Sequence, residues 1–105
     1  MEKRKMTEKE VMDRVNEIRN ILDPKEATIP NGTSYHTLVK YKYGDRIIQT
    51  ANGEIYLDQG FVTQYRAKSL VEAKRIKQLA DEKHHYLCQL TSVSRNNTDL
   101  SNPNG

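Results

Sequence analysis

Three glycine-centred turns divide the middle of this chain, and they constrain its fold more than any other feature. Gly44-Asp45, Asn52-Gly53 and Asp58-Gln59-Gly60 punctuate the stretch from Thr37 to Lys68. Tight hairpins need residues that tolerate positive φ, so glycine beside Asp or Asn between runs of β-forming residues reads as a hairpin. Four short antiparallel strands joined as a meander are the expected result.

Alternation then sorts the side chains. Two-residue loops at Gly44-Asp45 and Asn52-Gly53 pair Tyr43 with Arg46, Tyr41 with Ile48, Thr50 with Ile55 and Ile48 with Leu57. That register puts Val39, Tyr41, Tyr43, Arg46, Ile48, Thr50, Ile55 and Leu57 on a core face. It leaves Leu38, Lys40, Lys42, Ile47, Gln49, Ala51, Glu54, Tyr56 and Asp58 on the other. A three-residue loop over Asp58–Gly60 adds Phe61, Thr63, Tyr65 and Ala67 to the core face, and Val62, Gln64, Arg66 and Lys68 to the open one.

A helix precedes the strands and another follows. Thr7 and Glu10 have the spacing of a capping box, and Val11, Val15, Ile18 and Leu22 follow at helical intervals. Asp23-Pro24 ends that helix, because a residue before proline resists the α region. Residues 24–34, with two prolines and a glycine, read as a loop. Ser69 and Glu72 open the second helix, with Ala73, Ile76, Leu79 and Ala80 as its apolar stripe and Lys74, Lys77, Gln78, Asp81 and Glu82 expected in water. No Gly, Pro or Asn lies between Leu70 and Val93, which favours one helix from about 70 to about 91. The competing reading makes Tyr86–Ser92 a fifth strand.

The expected class is α+β: a four-stranded antiparallel meander with an N-terminal and a C-terminal helix packed on one face. A chain of 105 residues makes one domain, placed at 7–93, with a flexible tail at 1–6 and a polar, disordered one at 94–105.

Composition narrows the function. No apolar run approaches the roughly 18 residues of a membrane span, and no hydrophobic signal region follows the charged N-terminal residues. The single cysteine, Cys88, cannot form an internal disulfide, which fits a reducing cytoplasm. Two glycosylation sequons, at Asn31 and Asn96, read as chance without a secretion signal. The net charge of +3 permits an acidic partner without demanding one.

No catalytic or metal constellation stands out. His84 and Cys88 share a helical face, but zinc would need two further ligands. Glu54 and Asp58 are about 13 Å apart along a strand, too far to act across one bond. No glycine-rich phosphate loop is present. No cofactor and no metal is expected, and the chain is not expected to be an enzyme.

What remains is the polar sheet face. Lys40, Lys42, Gln49, Tyr56, Gln64, Arg66 and Lys68 form a candidate binding surface. Leu38, Ile47, Tyr56 and Val62 form an apolar patch suited to a homodimer. The leading expectation is a small cytoplasmic regulator or inhibitor that acts by binding a partner protein. The alternative is binding of nucleic acid or a small nucleotide through the basic residues.

Overall fold

The structure is a computed structural model and describes residues 6–60 and 63–101, with side chains as far as Leu90. Helix α1 (Glu8–Leu22) and a short 3-10 turn (Asp23–Lys25) lead into strands β1 (Tyr35–Lys40), β2 (Arg46–Thr50), β3 (Ile55–Asp58) and β4 (Gln64–Ala67). Helix α2 (Leu70–Ser101) follows. The strands form one sheet in the order β1-β2-β3-β4, every neighbouring pair antiparallel. This is the expected α+β meander.

The helices form where their caps and stripes place them. The Thr7 hydroxyl accepts from the Glu10 amide at 3.1 Å, and the Glu10 carboxylate accepts from the Thr7 amide at 2.8 Å. Val11, Val15, Ile18 and Leu22 are all buried. At the second start, the Ser69 hydroxyl accepts from the Glu72 amide at 3.1 Å. Ala73, Ile76, Leu79 and Ala80 are buried there, and join Ile18, Leu22, Ile47, Leu57, Tyr65 and Ala67 in one core. α2 is the long helix, not a helix followed by a fifth strand. It runs on through residues 94–101, where composition suggests a polar tail. Residues 1–5 and 102–105 of the expected tails lie outside the described residues.

The strand register corrects the expected faces in one place. Tyr41 donates to the carbonyl of Asp45 at 2.8 Å, and Thr50 donates to that of Glu54 at 2.8 Å. Both hairpins therefore close over three residues, Lys42–Gly44 and Ala51–Gly53, with the glycine last and at φ +90° and +87°. One extra loop residue on each side turns over β2 alone. Ile47, not Ile48, stands opposite Leu57, and Ile48 stands opposite Tyr56. Val39, Tyr41, Ile55, Leu57, Tyr65 and Ala67 keep the expected core face, and Ile47 joins them. Tyr43 leaves it altogether and is 88% exposed at the first turn. Phe61 and Val62 lie outside the described residues.

The second sheet face is not open, contrary to the expectation. Ile48, Thr50, Tyr56 and Asp58 lie on it and all are buried. Residues 27–34 account for the cover. Glu26 bridges to Tyr65, and Ala27 donates to Gln64, both on the outer side of β4. Seven residues later the Ser34 carbonyl accepts from Ala51, across the sheet. The segment between must cross the sheet, and Ile29 and Pro30 border a groove with Tyr35, Arg46, Asp58 and Gln64 of this second face. Tyr35 and Arg46 add to the cover: the guanidinium stacks 5.1 Å from the ring centroid and donates to the Tyr35 hydroxyl at 2.8 Å.

Candidate functional site

A four-stranded open sheet has two edges, and this one finishes them differently. The β4 edge is closed by the Glu26 bridge and the Ala27 bond to Gln64. The β1 edge has β2 on one side and, among the described residues, no strand on the other.

Backbone bonds show which groups β1 offers. Ser34 and Tyr41 turn their polar groups toward β2, at Ala51 and Asp45. Strand alternation then directs His36 and Val39 inward as well, opposite Gln49 and Ile47. The N–H and C=O groups of Tyr35, Thr37 and Lys40 point outward. The change of phase is taken up at Leu38, which the ladder skips between Thr37–Ile48 and Val39–Ile47 as a β-bulge. The bulge moves Tyr35 and Thr37 to the second face, beside Arg46 and away from the helices. Tyr35 is 42% and Leu38 36% exposed, so the edge shows apolar surface as well as free backbone.

The expected binding residues are not brought together. Lys40 is exposed on β1 and Lys42 is exposed in the first turn. Arg66 and Lys68 are also exposed, but on and just beyond β4, three strand spacings or about 14 Å across the sheet. Arg66 is paired with Glu54 at 3.0 Å. Gln64 donates to Asp58 at 3.2 Å and to the Gly60 carbonyl at 2.8 Å. Gln49 is half-buried in the row with His36, Ile55 and Ala67 on the helix side. Tyr56 is buried on the second face, its hydroxyl 3.4 Å from Glu54.

The apolar patch is likewise divided. Ile47 is fully buried in the core, Tyr56 is buried on the opposite face, Leu38 sits in the edge bulge, and Val62 lies outside the described residues. The turned-over β2 is the physical reason: it carries Ile47 inward beneath the helices.

Two features escaped sequence reading. Tyr35 and His36 belong to the edge strand, and the signal was there in the β-forming run from Tyr35 that follows the Asn31-Gly32 turn. Lys77, expected in water, is mostly buried. It bridges Asp45 at 2.9 Å and Asp81 at 2.8 Å and lies 5.0 Å from the Tyr41 ring centroid. Burial opposes its charge, but the two carboxylates prevail and raise its pKa. This bridge ties the first turn to α2, and with it the end of β1.

The Cys88 sulfur lies 3.5 Å from His84 Nε2 on the exposed side of α2. Among the described residues no three His, Cys, Asp or Glu side chains gather as a metal set. No helix among them is long and apolar enough to cross a membrane. Comparison with protein-family models, curated proteins and solved structures finds no match for this chain.

Proposed function

We propose that this chain is a small non-enzymatic binding protein of the cytoplasm that regulates or inhibits a partner protein by occupying it. The partner's extended segment adds to the sheet as a fifth strand beside β1. The observation that supports this reading is the outward-facing backbone of Tyr35, Thr37 and Lys40 at an edge with no neighbouring strand among the described residues. Strand addition uses such an edge: main-chain bonds supply affinity, and neighbouring side chains select the sequence. Tyr35 and Leu38 supply exposed apolar contacts beside it. The separation of Lys40 and Lys42 from Arg66 and Lys68, and the pairing of Arg66 with Glu54, count against nucleic acid, which needs a continuous run of cations along its phosphates.

A photo-crosslinking residue at Leu38, with one at Lys74 on the exposed side of α2 as control, tests the reading in the host cell. The partner captured is then purified and titrated against the wild-type chain and Thr37→Pro. Proline removes the outward N–H of Thr37 and is tolerated at edge positions whose N–H faces solvent. The expected result is capture from Leu38 only, and binding weakened by about tenfold or more in Thr37→Pro, since tenfold corresponds to one lost bond of about 1.4 kcal/mol. Capture from Lys74 alone, or unchanged binding by a folded Thr37→Pro, would overturn it.

A further inference from the structure

We propose that the strand received at β1 is acidic: an extended peptide with carboxylates toward one end and apolar side chains toward the other. This rests on the strand-addition reading above and names the chemistry of its partner. From Thr33 to Gly44 the chain carries Lys40, Lys42 and His36 and not one carboxylate. Two carboxylates on the neighbouring part of the sheet are already paired. Asp45, at the base of the turn, is held by Lys77 at 2.9 Å, and Asp58, across the sheet from Lys40, by Arg46 at 2.9 Å. Lys40 and Lys42 form no ion pair among the described residues. The end of the edge where β1 enters its turn is therefore a site of uncompensated positive charge, and before it Tyr35 and Leu38 are exposed apolar side chains.

An incoming strand meets both features in one pass. Its carboxylates fall beside Lys40 and Lys42, and its apolar side chains beside Tyr35 and Leu38. A second copy of this chain fits less well. Two-fold pairing of β1 with itself sets the Leu38 bulge of one chain against that of the other and adds two more lysines to the interface. A bulge and an edge lysine are common means of preventing self-pairing between sheets. A short separate peptide can adjust its register around one bulge and brings the opposite charge.

The test uses the full chain labelled with nitrogen-15 and three probes: an octapeptide with valines in one half and glutamates in the other, its valine–lysine counterpart, and a short oligothymidylate. The glutamate peptide is expected to shift the resonances of Tyr35 to Lys42, and its Kd to rise by about tenfold in Lys40→Glu/Lys42→Glu, which should instead favour the lysine peptide. Equal binding of both peptides at β1 overturns the acidic preference and leaves strand addition standing. Tighter binding of oligothymidylate at the same residues overturns the acidic peptide in favour of nucleic acid. No binding by either peptide also overturns the acidic inference, while capture from Leu38 decides separately on strand addition. Shifts mapping away from β1 overturn both.

Discussion

Gly53 holds φ +87° at the end of a three-residue loop, and a Cβ built there meets nothing within 4 Å. The cost of a side chain is thus carried by the backbone. Gly53→Val should lower stability by about 1–2 kcal/mol, because a β-branched residue resists the left-handed region. Thermal denaturation followed by circular dichroism should show a drop of roughly 4–8 °C per kcal/mol for a domain of this size, and an unchanged midpoint would show the loop is misplaced. Asn, which tolerates positive φ, should lose less. The same residues explain why the turns were legible and the face of β2 was not. Gly44, Asn52 and Gly53 announce a turn but fit a two- or a three-residue loop. Ile47 and Ile48 are adjacent, so either register buries an isoleucine. Alternation tells the faces apart only when one of them is wet, and here Ile47 and Ile48 are both fully buried. Ile48→Ala should accordingly cost about 2–5 kcal/mol, as for a core position. A loss under 1 kcal/mol in a urea titration would contradict the covered second face.

Between elements, the pairings of charge are specific enough to test. Arg14 on α1 donates to both oxygens of Glu82 on α2, at 2.6 and 3.0 Å, and also pairs with Glu17. The Glu82 carboxyl is held below its ordinary pKa by these bonds, against a smaller opposing effect of burial. A depressed carboxylate stabilises the fold above its unfolded pKa and loses that contribution as pH falls through its folded value. Arg14→Gln should therefore cost about 1–2 kcal/mol at neutral pH, the range for a partly exposed charged hydrogen bond. The difference from wild type should shrink below about pH 4.5, the ordinary value of the carboxyl. Urea midpoints at pH 7 and pH 3 measure both, and a difference undiminished at pH 3 would point to packing instead. Tyr65 behaves in the opposite sense. Burial, then the nearby Glu26 and Asp23, raise its pKa above the ordinary 10. Its neutral form stabilises the fold below pH 10, and that contribution is lost as pH rises beyond it. Tyr65→Phe should flatten this alkaline loss. The helix stripes were readable because one side of each helix stays wet. Lys77 was not, because its carboxylate partner Asp45 lies 32 residues away and only the folded sheet delivers it.

At the scale of the molecule, helices cover one side of the sheet, the crossing segment 27–34 covers the other, and Glu26–Ala27 close the β4 edge. The order of elements could be read from caps and turns. The crossing could not, because a Pro/Gly-rich loop has no periodicity to say which surface it lies on. Its ends reveal it only once both sheet edges are known. What this leaves is β1, and the central claim is that its outer edge is free. Residue-resolved hydrogen exchange on the isolated chain tests that directly. The amides of His36, Val39 and Tyr41 should exchange slowly, and those of Tyr35, Thr37 and Lys40 rapidly, as groups without a ladder partner do. Uniform protection along Tyr35–Tyr41 would mean the edge is already paired in the free protein, and would contradict the account.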